Sequence, residues 1–304
     1  VLGLLSQRVC PAREGLRVAT YNLQNYTSAG RMTGDGFHKD YPKPEAAKRA
    51  LHTVFKAMDA DIVVVQEMGS EAHLRELQMD LRALGLDYPH CLLAEANDSD
   101  RHLAVLSRVP FVRSSTFSHL DFNYLGQRLR VKRGLLELVI ATDAGPLTLW
   151  GVHLKSRFTE HAEDPESNLL RGAEATAIRD LILRRHPDPS TALFCILGDF
   201  NDGKQKRPLR AMQERGTLKV AELLNAQDSR SECWTHYFQS AESYEHFDHI
   251  LVSPPLVRRV LGPEGQQGSK ARILDVPETL EASDHRPVLV ELGLHPINEP
   301  NPSG

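Results

Sequence analysis

The sequence predicts an α/β fold built as one domain. Short apolar runs alternate with helix-patterned stretches along the whole chain, no Ser/Gly linker or internal repeat divides it, and the composition is that of a globular enzyme. Of 304 residues, 41% are hydrophobic and 25% charged, which is enough apolar material for a large core. Length by itself allows one large domain or two small ones. The unbroken alternation favours one, spanning 16–293, with 1–15 as an N-terminal extension and 294–304 as a tail.

Leu16 to Leu23 reads as the first strand, and the polar, Gly-containing stretch Asn25 to Tyr41 as a long loop. From about Pro44 to Met58, Ala47, Leu51, Val54, Phe55 and Met58 recur at the spacing of one buried helix face, and Pro44 suits the first turn. Asp61 to Gln66 is too continuously apolar for a half-exposed edge and reads as a buried strand. A second helix runs from about Glu71 to Leu84 and stops near Gly85. His102 to Ser107, Leu135 to Ala141, Leu147 to His153 and Ala192 to Leu197 are further strands. A helix from about Glu166 to Arg185 separates the last two and ends before Pro187. Phe247 to Val252 and Pro287 to Leu292 complete the set.

Charge and cysteine usage set bounds. The net charge is −4 and the pI about 6.4, so affinity for a long phosphate backbone would have to come from local patches. Two basic runs qualify: Arg128, Arg130, Lys132 and Arg133, then Lys204, Lys206, Arg207 and Arg210. A solvated face is the simpler reading of either run alone. Cys10, Cys91, Cys195 and Cys233 lack metal-finger spacing. Cys195, inside an apolar run, reads as a core thiol, while a bridge among the others stays open. No stretch is apolar and long enough to span a bilayer. Val1 to Leu5 is apolar and reads either as the tail of an export signal or as a chain boundary.

The informative pattern is where polar residues sit. Several apolar strands end in a carboxylate, amide or imidazole: Thr20-Tyr21-Asn22, Val65-Gln66-Glu67, Gly151-Val152-His153 and Leu197-Gly198-Asp199-Phe200-Asn201, while Ala282-Ser283-Asp284-His285 opens the last strand. Each alone has a bland explanation as a cap, a turn residue or a satisfied core histidine. Together they form the oxygen-rich set that hard cations such as Mg²⁺, Mn²⁺ or Ca²⁺ prefer. Histidines beside them add a proton donor, a base or a cation against a phosphate. Cys-rich ligation and a His-x-x-x-His pair are absent, against structural or protease-type zinc. A Gly-rich phosphate loop ending in Lys-Ser/Thr is also absent, against ATP-driven chemistry.

In order, Ala19-Thr20-Tyr21-Asn22, Val65-Gln66-Glu67, Leu103 to Arg108, Val152-His153-Leu154-Lys155-Ser156, Leu197-Gly198-Asp199-Phe200-Asn201-Asp202, Phe247-Asp248-His249-Ile250 and Ser283-Asp284-His285-Arg286-Pro287 resemble the motifs of the endonuclease/exonuclease/phosphatase superfamily. The likeness runs from about residue 16 to 292. It implies a four-layer α/β sandwich, deoxyribonuclease I-like, with two packed mixed β-sheets flanked by helices and the site at one edge. It implies Glu67 as principal metal carboxylate with Asn22 and Asp284 beside it. Asp199 and Asn201 would position the nucleophilic water and the phosphate. His285 would be base or phosphate contact, oriented by Asp248, and His153 would touch the scissile phosphate or help the leaving group. The expected reaction is in-line attack of water on a phosphoester, with Mg²⁺ as cofactor and Mn²⁺ or Ca²⁺ as substitutes.

Other residues stand outside the shared motif. Arg133 and Lys155 are candidates to reach a substrate phosphate, though a surface role is as natural for Lys155. His249 reads as packing, and His102 lies near the site without a secure place in it. The Trp234-Thr235-His236-Tyr237 stretch and the Tyr26 to Tyr41 loop are the natural specificity elements. Against a dedicated nuclease stand the missing overall basicity and aromatic–basic interleaving. Against a sphingomyelinase stands the lack of an evident apolar hairpin, and against a 5-phosphatase the lack of a lysine-rich pocket. A phosphodiesterase or nuclease, acting as a monomer on a phosphoester substrate with nucleic acid among the candidates, is the leading expectation. Phosphatase or phospholipid hydrolase follows, and a non-catalytic binding protein is disfavoured because no motif position is lost. Resemblance to exported bacterial members favours an extracytoplasmic location over a cytoplasmic one.

Overall fold

The computed structural model describes residues 15–159, 161–262 and 270–297. The N-terminal extension, with Cys10 and the apolar start of the chain, and most of the C-terminal tail lie outside them. Two mixed sheets dominate. The larger, eight-stranded, runs in the order Asn225–Gln227, Lys270–Ile273, Val288–Leu292, Leu16–Tyr26, Ile62–Met68, His102–Ser107 and His90–Leu93, with Val260–Leu261 also paired to Val288–Leu292. The smaller, six-stranded, runs Glu222–Leu223, Asp248–Val252, Leu193–Asp199, Leu147–His153, Leu136–Ile140 and Arg113–Thr116.

Alternation along the strands makes the layers. Val18, Ile62, Val64, Leu103, Val105 and Val290 meet Leu136, Leu138, Leu149, Cys195, Leu197 and Ile250 in one core between the sheets. Their neighbours point the other way, because successive strand residues face opposite sides. Ala19, Val63, Val65 and Ala104 pack on Leu51, Val54, Phe55, Leu74 and Leu77, from the helices Glu45–Met58 and Glu71–Ala83. Trp150, Val152, Phe194 and Ile196 pack on Ala175, Ile178 and Ile182, from the helix Asn168–Arg185. The result is helix, sheet, sheet, helix: the four-layer sandwich. A strand buried on both faces must be apolar at every position, which is why the central runs read so continuously.

The stretch expected to be a loop before Tyr41 departs from expectation. Leu16–Tyr26 extends three residues beyond Leu23, and Ala29–Thr33 and Gly36–Tyr41 form a hairpin. Neither hairpin strand has a buried face, so no period-two signal marks it. Asp121–Tyr124 and Gln127–Arg130 make a second hairpin, turning at Leu125 and Gly126, both at positive φ, as a two-residue turn requires. Cys91, Cys195 and Cys233 are free thiols, so the open Cys91–Cys233 bridge is absent, and Cys195 is the core residue its setting indicated.

Candidate active site

Sheet register assembles the site. His153, Asp199 and Asp248 are direct partners across three neighbouring strands, so their side chains emerge side by side. In the other sheet Asn22 is in register with Gln66, next to Glu67. Both parallel pairs bring their C-terminal ends to one edge, where open α/β sheets bind ligands. The Ser283-Asp284-His285 segment is tied there by Ser283 Oγ, which donates to the Asn22 carbonyl at 2.8 Å and accepts from the His285 N–H at 3.1 Å. Strand termination at the site is abrupt. Glu67 and Asn201 both adopt left-handed φ, 61° and 51°, a conformation that costs a non-glycine residue on the order of 1 kcal/mol and is concentrated at functional sites. Gly198, at φ 151° with the Val152 carbonyl only 1.9 Å from where a Cβ would sit, is there because nothing larger fits.

Asp199 is the hub. Its Oδ2 accepts from Asn22 Nδ2 at 3.0 Å and Asn201 Nδ2 at 3.2 Å, and its Oδ1 accepts from the Asn201 N–H at 2.8 Å. His153 Nε2 and His285 Nε2 lie 3.5 and 3.9 Å from the same Oδ2. The Asn22 bond joins the two sheets across the inter-sheet core. Burial pushes the Asp199 carboxyl above the usual range, against the opposing pull of His285 and its hydrogen-bond donors.

The two histidines carry opposite charge states. Burial alone would lower His285, but Asp248, whose Oδ2 accepts from Nδ1 at 2.7 Å, with Asp199 and Asp284, raises it to about 10. It is an imidazolium at neutral pH. His153 is held well below its ordinary value by burial, reinforced by Arg133 and His285, and is neutral. Its Nδ1 and Asp248 Oδ1 are buried with no hydrogen-bond partner.

The expected metal residues gather less tightly. Glu67 Oε2 accepts from the Asn25 N–H at 2.8 Å. Asn22 gives its amide nitrogen to Asp199, while its oxygen accepts from Gln24 N–H at 3.0 Å. Among the described residues two compact groups of His and carboxylate occur, Asp199–Asp248–His285 and His236–Asp284–His285, and Glu67 is in neither. Still, Glu67 and Asp284 act on one shared group: the buried Lys43 ammonium, lowered by burial to about 8 and pulled back up by both carboxylates. Two carboxylates and an amide at one rim are the donor chemistry a hard divalent cation takes, so the residues fit such an ion.

Arg133 and Lys155 have protein partners. Arg133 is buried and donates to the Leu154 carbonyl at 2.9 Å, which also accepts from Asn201 Nδ2 at 3.0 Å. Lys155 Nζ donates to Ser156 O and Oγ and to Phe158 O. Arg133 thus braces the strand end carrying His153, and Lys155 ties down the loop after it. His249 packs as expected, with Nε2 against the Asp202 carbonyl at 2.9 Å and its ring on His246. His102 sits against the Met68 carbonyl. In the first basic run Arg128 and Arg130 share the single carboxylate of Asp121, and Lys132 lies 3.7 Å from Asp98.

Sequence reasoning overlooked His236 as a member of the site. Its strand is bridged to His285, its ring lies 4.6 Å from that of His285, and its Nε2 is 3.8 Å from Asp284 Oδ2. The only signal was its place in the Trp234-Thr235-His236-Tyr237 stretch. Lys43 was missed too, since a lysine before a helix normally faces water.

A family model described as the Endonuclease/Exonuclease/phosphatase family matches residues 19–285. No curated protein sequence matches the chain. Among solved structures, the human Nocturnin catalytic domain with bound sulfate anion is similar at 13% identity and a TM-score of 0.60, over 94% of this chain and 96% of that one. Sphingomyelinase C from Streptomyces griseocarneus is similar at 16% identity and a TM-score of 0.58, over 91% and 99%. A protein from Bacteroides vulgatus described by the same family name is similar at 17% identity and a TM-score of 0.59, over 93% and 99%. At these identities the likeness is one of fold.

Proposed function

The chain belongs to the endonuclease/exonuclease/phosphatase family, and from that premise we propose that it is a divalent-metal-dependent phosphodiesterase of the nuclease type. Membership supports hydrolysis of a phosphoester. The observation that carries the finer reading is the convergence of Asn22, Asn201, His153 and His285 on the buried carboxylate of Asp199.

In this reading Asp199 polarises the attacking water, with Asn22 and Asn201 fixing its orientation. Asp248 holds His285 as a cation whose Nε2 faces the reaction centre, where it offsets charge building on the phosphate. That assignment narrows the expectation of base or phosphate contact to the second, because a histidine protonated up to about pH 10 has no free lone pair at rest. The water's proton passes to Asp199, whose carboxyl burial raises, the Nε2–H of the His285 imidazolium supplies the proton of the leaving oxygen, and the neutral His153 is left to contact the scissile phosphate. A cation such as Mg²⁺, Mn²⁺ or Ca²⁺, held by Glu67 and Asp284 with the Asn22 amide beside them, would supply Lewis-acid stabilisation of the phosphate and leaving oxygen.

One feature favours a phospholipid as a second substrate class. The hairpin Ala29–Tyr41, which the sequence concealed, exposes Met32 and Phe37 at 76% and 66%. It is tied to the site rim by Arg31, which donates to the Asn25 carbonyl at 2.7 Å. The test is a panel of bis(4-nitrophenyl) phosphate, plasmid DNA, RNA, phosphomonoesters and sphingomyelin, with Mg²⁺, Mn²⁺ or Ca²⁺ against an EDTA control. Asp199→Ala and His285→Ala should abolish turnover while the fold persists. Activity indifferent to EDTA, or wild-type rates in those variants, would sink the assignment.

A further inference from the structure

We propose that His236, Asp284 and His285 form a second cation site, selective for a borderline transition-metal ion of the zinc type, at which the ion silences the enzyme. The two nitrogens and the carboxylate offer ligand atoms that all lie within 4.8 Å of one another. His236 Nε2 is 3.8 Å from Asp284 Oδ2, and His285 Nε2 is 4.0 Å from Asp284 Oδ1. Donors around a tetrahedral zinc ion, each about 2.0–2.2 Å from it, stand roughly 3.3–3.6 Å apart. From a spread of up to 4.8 Å, closing the difference needs side-chain movements of up to about an ångström or slightly more, at a rim where two of the three residues are only half-buried.

A separate observation points the same way. Metal-ligating histidines are oriented by a carboxylate on the ring nitrogen that does not bind the ion. His285 has that arrangement already: Asp248 holds Nδ1 at 2.7 Å, so Nε2 is aimed at His236 and Asp284. The His236 ring is fixed in turn between Phe247, stacked at 5.0 Å and 19°, and His285.

Asp284 is common to this group and to the hard-oxygen set with Glu67 and Asn22, and the two sets differ in the remaining donors, imidazole nitrogens here and oxygens there. Two imidazole nitrogens discriminate in favour of Zn²⁺ or Co²⁺ and against Mg²⁺ and Ca²⁺. An ion here would occupy Nε2 and so take His285 from the substrate phosphate. The inhibitory consequence rests on the phosphodiesterase reading, whereas binding does not.

The experiment is calorimetric titration of the full chain with Zn²⁺ in buffer containing excess Mg²⁺, repeated with Co²⁺ while its visible d–d bands are recorded. The wild-type chain should bind one Zn²⁺ that Mg²⁺ does not displace, and bound Co²⁺ should show nitrogen coordination. His236→Phe and His236→Gln, both checked for folding by circular dichroism, should weaken Zn²⁺ binding at least about tenfold, as losing one of three protein ligands implies. Glu67→Gln should leave it within a few-fold. The proposal is overturned if Zn²⁺ does not bind, if both folded His236 variants bind it as the wild type does, or if Glu67→Gln removes it. Zn²⁺ bound with no effect on hydrolysis of bis(4-nitrophenyl) phosphate would overturn the inhibitory role. A chain that binds Zn²⁺ but hydrolyses no phosphoester would fail the phosphodiesterase reading and leave the site standing.

Discussion

Replacing Asp248 by Asn removes the charge that makes His285 a cation, and its cost should depend on pH in a way that a packing defect would not. In the folded chain His285 is raised from 6.5 to about 10, while in the unfolded chain it returns to its ordinary value. A group raised in the folded state contributes stability that is fully present below the unfolded pKa and is lost as pH rises through the folded one. For about 3.5 pH units at roughly 1.4 kcal/mol each, the carboxylates net of burial contribute about 5 kcal/mol. Asp248 is first among the groups that raise His285. Without it, burial pulls the ring back towards neutrality, and the pH-dependent part of that stability goes. Asp248→Asn should therefore cost about 2–4 kcal/mol at pH 7, within the range for breaking a buried pair. The cost should shrink by on the order of 1 kcal/mol per pH unit towards pH 9–10. Urea unfolding of both chains at pH 6, 7, 8, 9 and 10 reads this directly, because titrating groups remote from Asp248 and His285 cancel in the difference, and Asp199, which does not, titrates below most of that range. A cost that stays constant across that range would refute the ion-pair argument.

Gly198→Ala should destabilise the chain by several kcal/mol or prevent soluble expression, since the added methyl meets the Val152 carbonyl at 1.9 Å in a left-handed backbone; a melting temperature within about 2 °C of wild type would contradict it. Arg171→Met leaves the buried Asp202 without the guanidinium that donates to it at 3.1 and 3.2 Å, and equilibrium unfolding should show a loss of about 3–5 kcal/mol. On the acid side the sign reverses from the His285 case. His249 and His246 are depressed by burial to about 4 and about 2, so below pH 6.5 the unfolded chain takes up protons that the folded one refuses, and stability falls. Asp199, raised by burial, opposes this in part. His249→Gln should lose less stability between pH 7 and 5 than the wild type, and an equal loss would count against burial as the cause. A thiol-reactive dye should label Cys233 quickly and Cys91 more slowly, whereas Cys195, fully buried, should label only on unfolding.

The sequence by itself determined the strands that carry the site and most of the residues at their ends. Asn22, Glu67, His153, Asp199 and Asp284 stood out because a polar group at the end of an apolar strand is costly unless something uses it. The central strands were legible because burial on both faces forces continuous apolar runs, and the helices because one buried face imposes a 3.6-residue period. The hairpin at Ala29–Tyr41 was not legible, because neither of its strands has a buried face to write a pattern.

Tertiary structure alone decided how the candidates relate. Asn22 and Asp199 are 177 positions apart and share a hydrogen bond, and that bond, not their motifs, makes Asp199 the hub. His153 and His285 look alike as residues, yet one is neutral and the other a cation. Charge state is set through space by burial and by carboxylates such as Asp248, not by neighbours in the chain. Arg133 and Lys155, exposed cations by type, have carbonyl partners because the fold brings Leu154 and Phe158 to them. His236 entered the site only because its strand is bridged to His285. Proximity across sheets is a property of register and packing, and no local pattern encodes it.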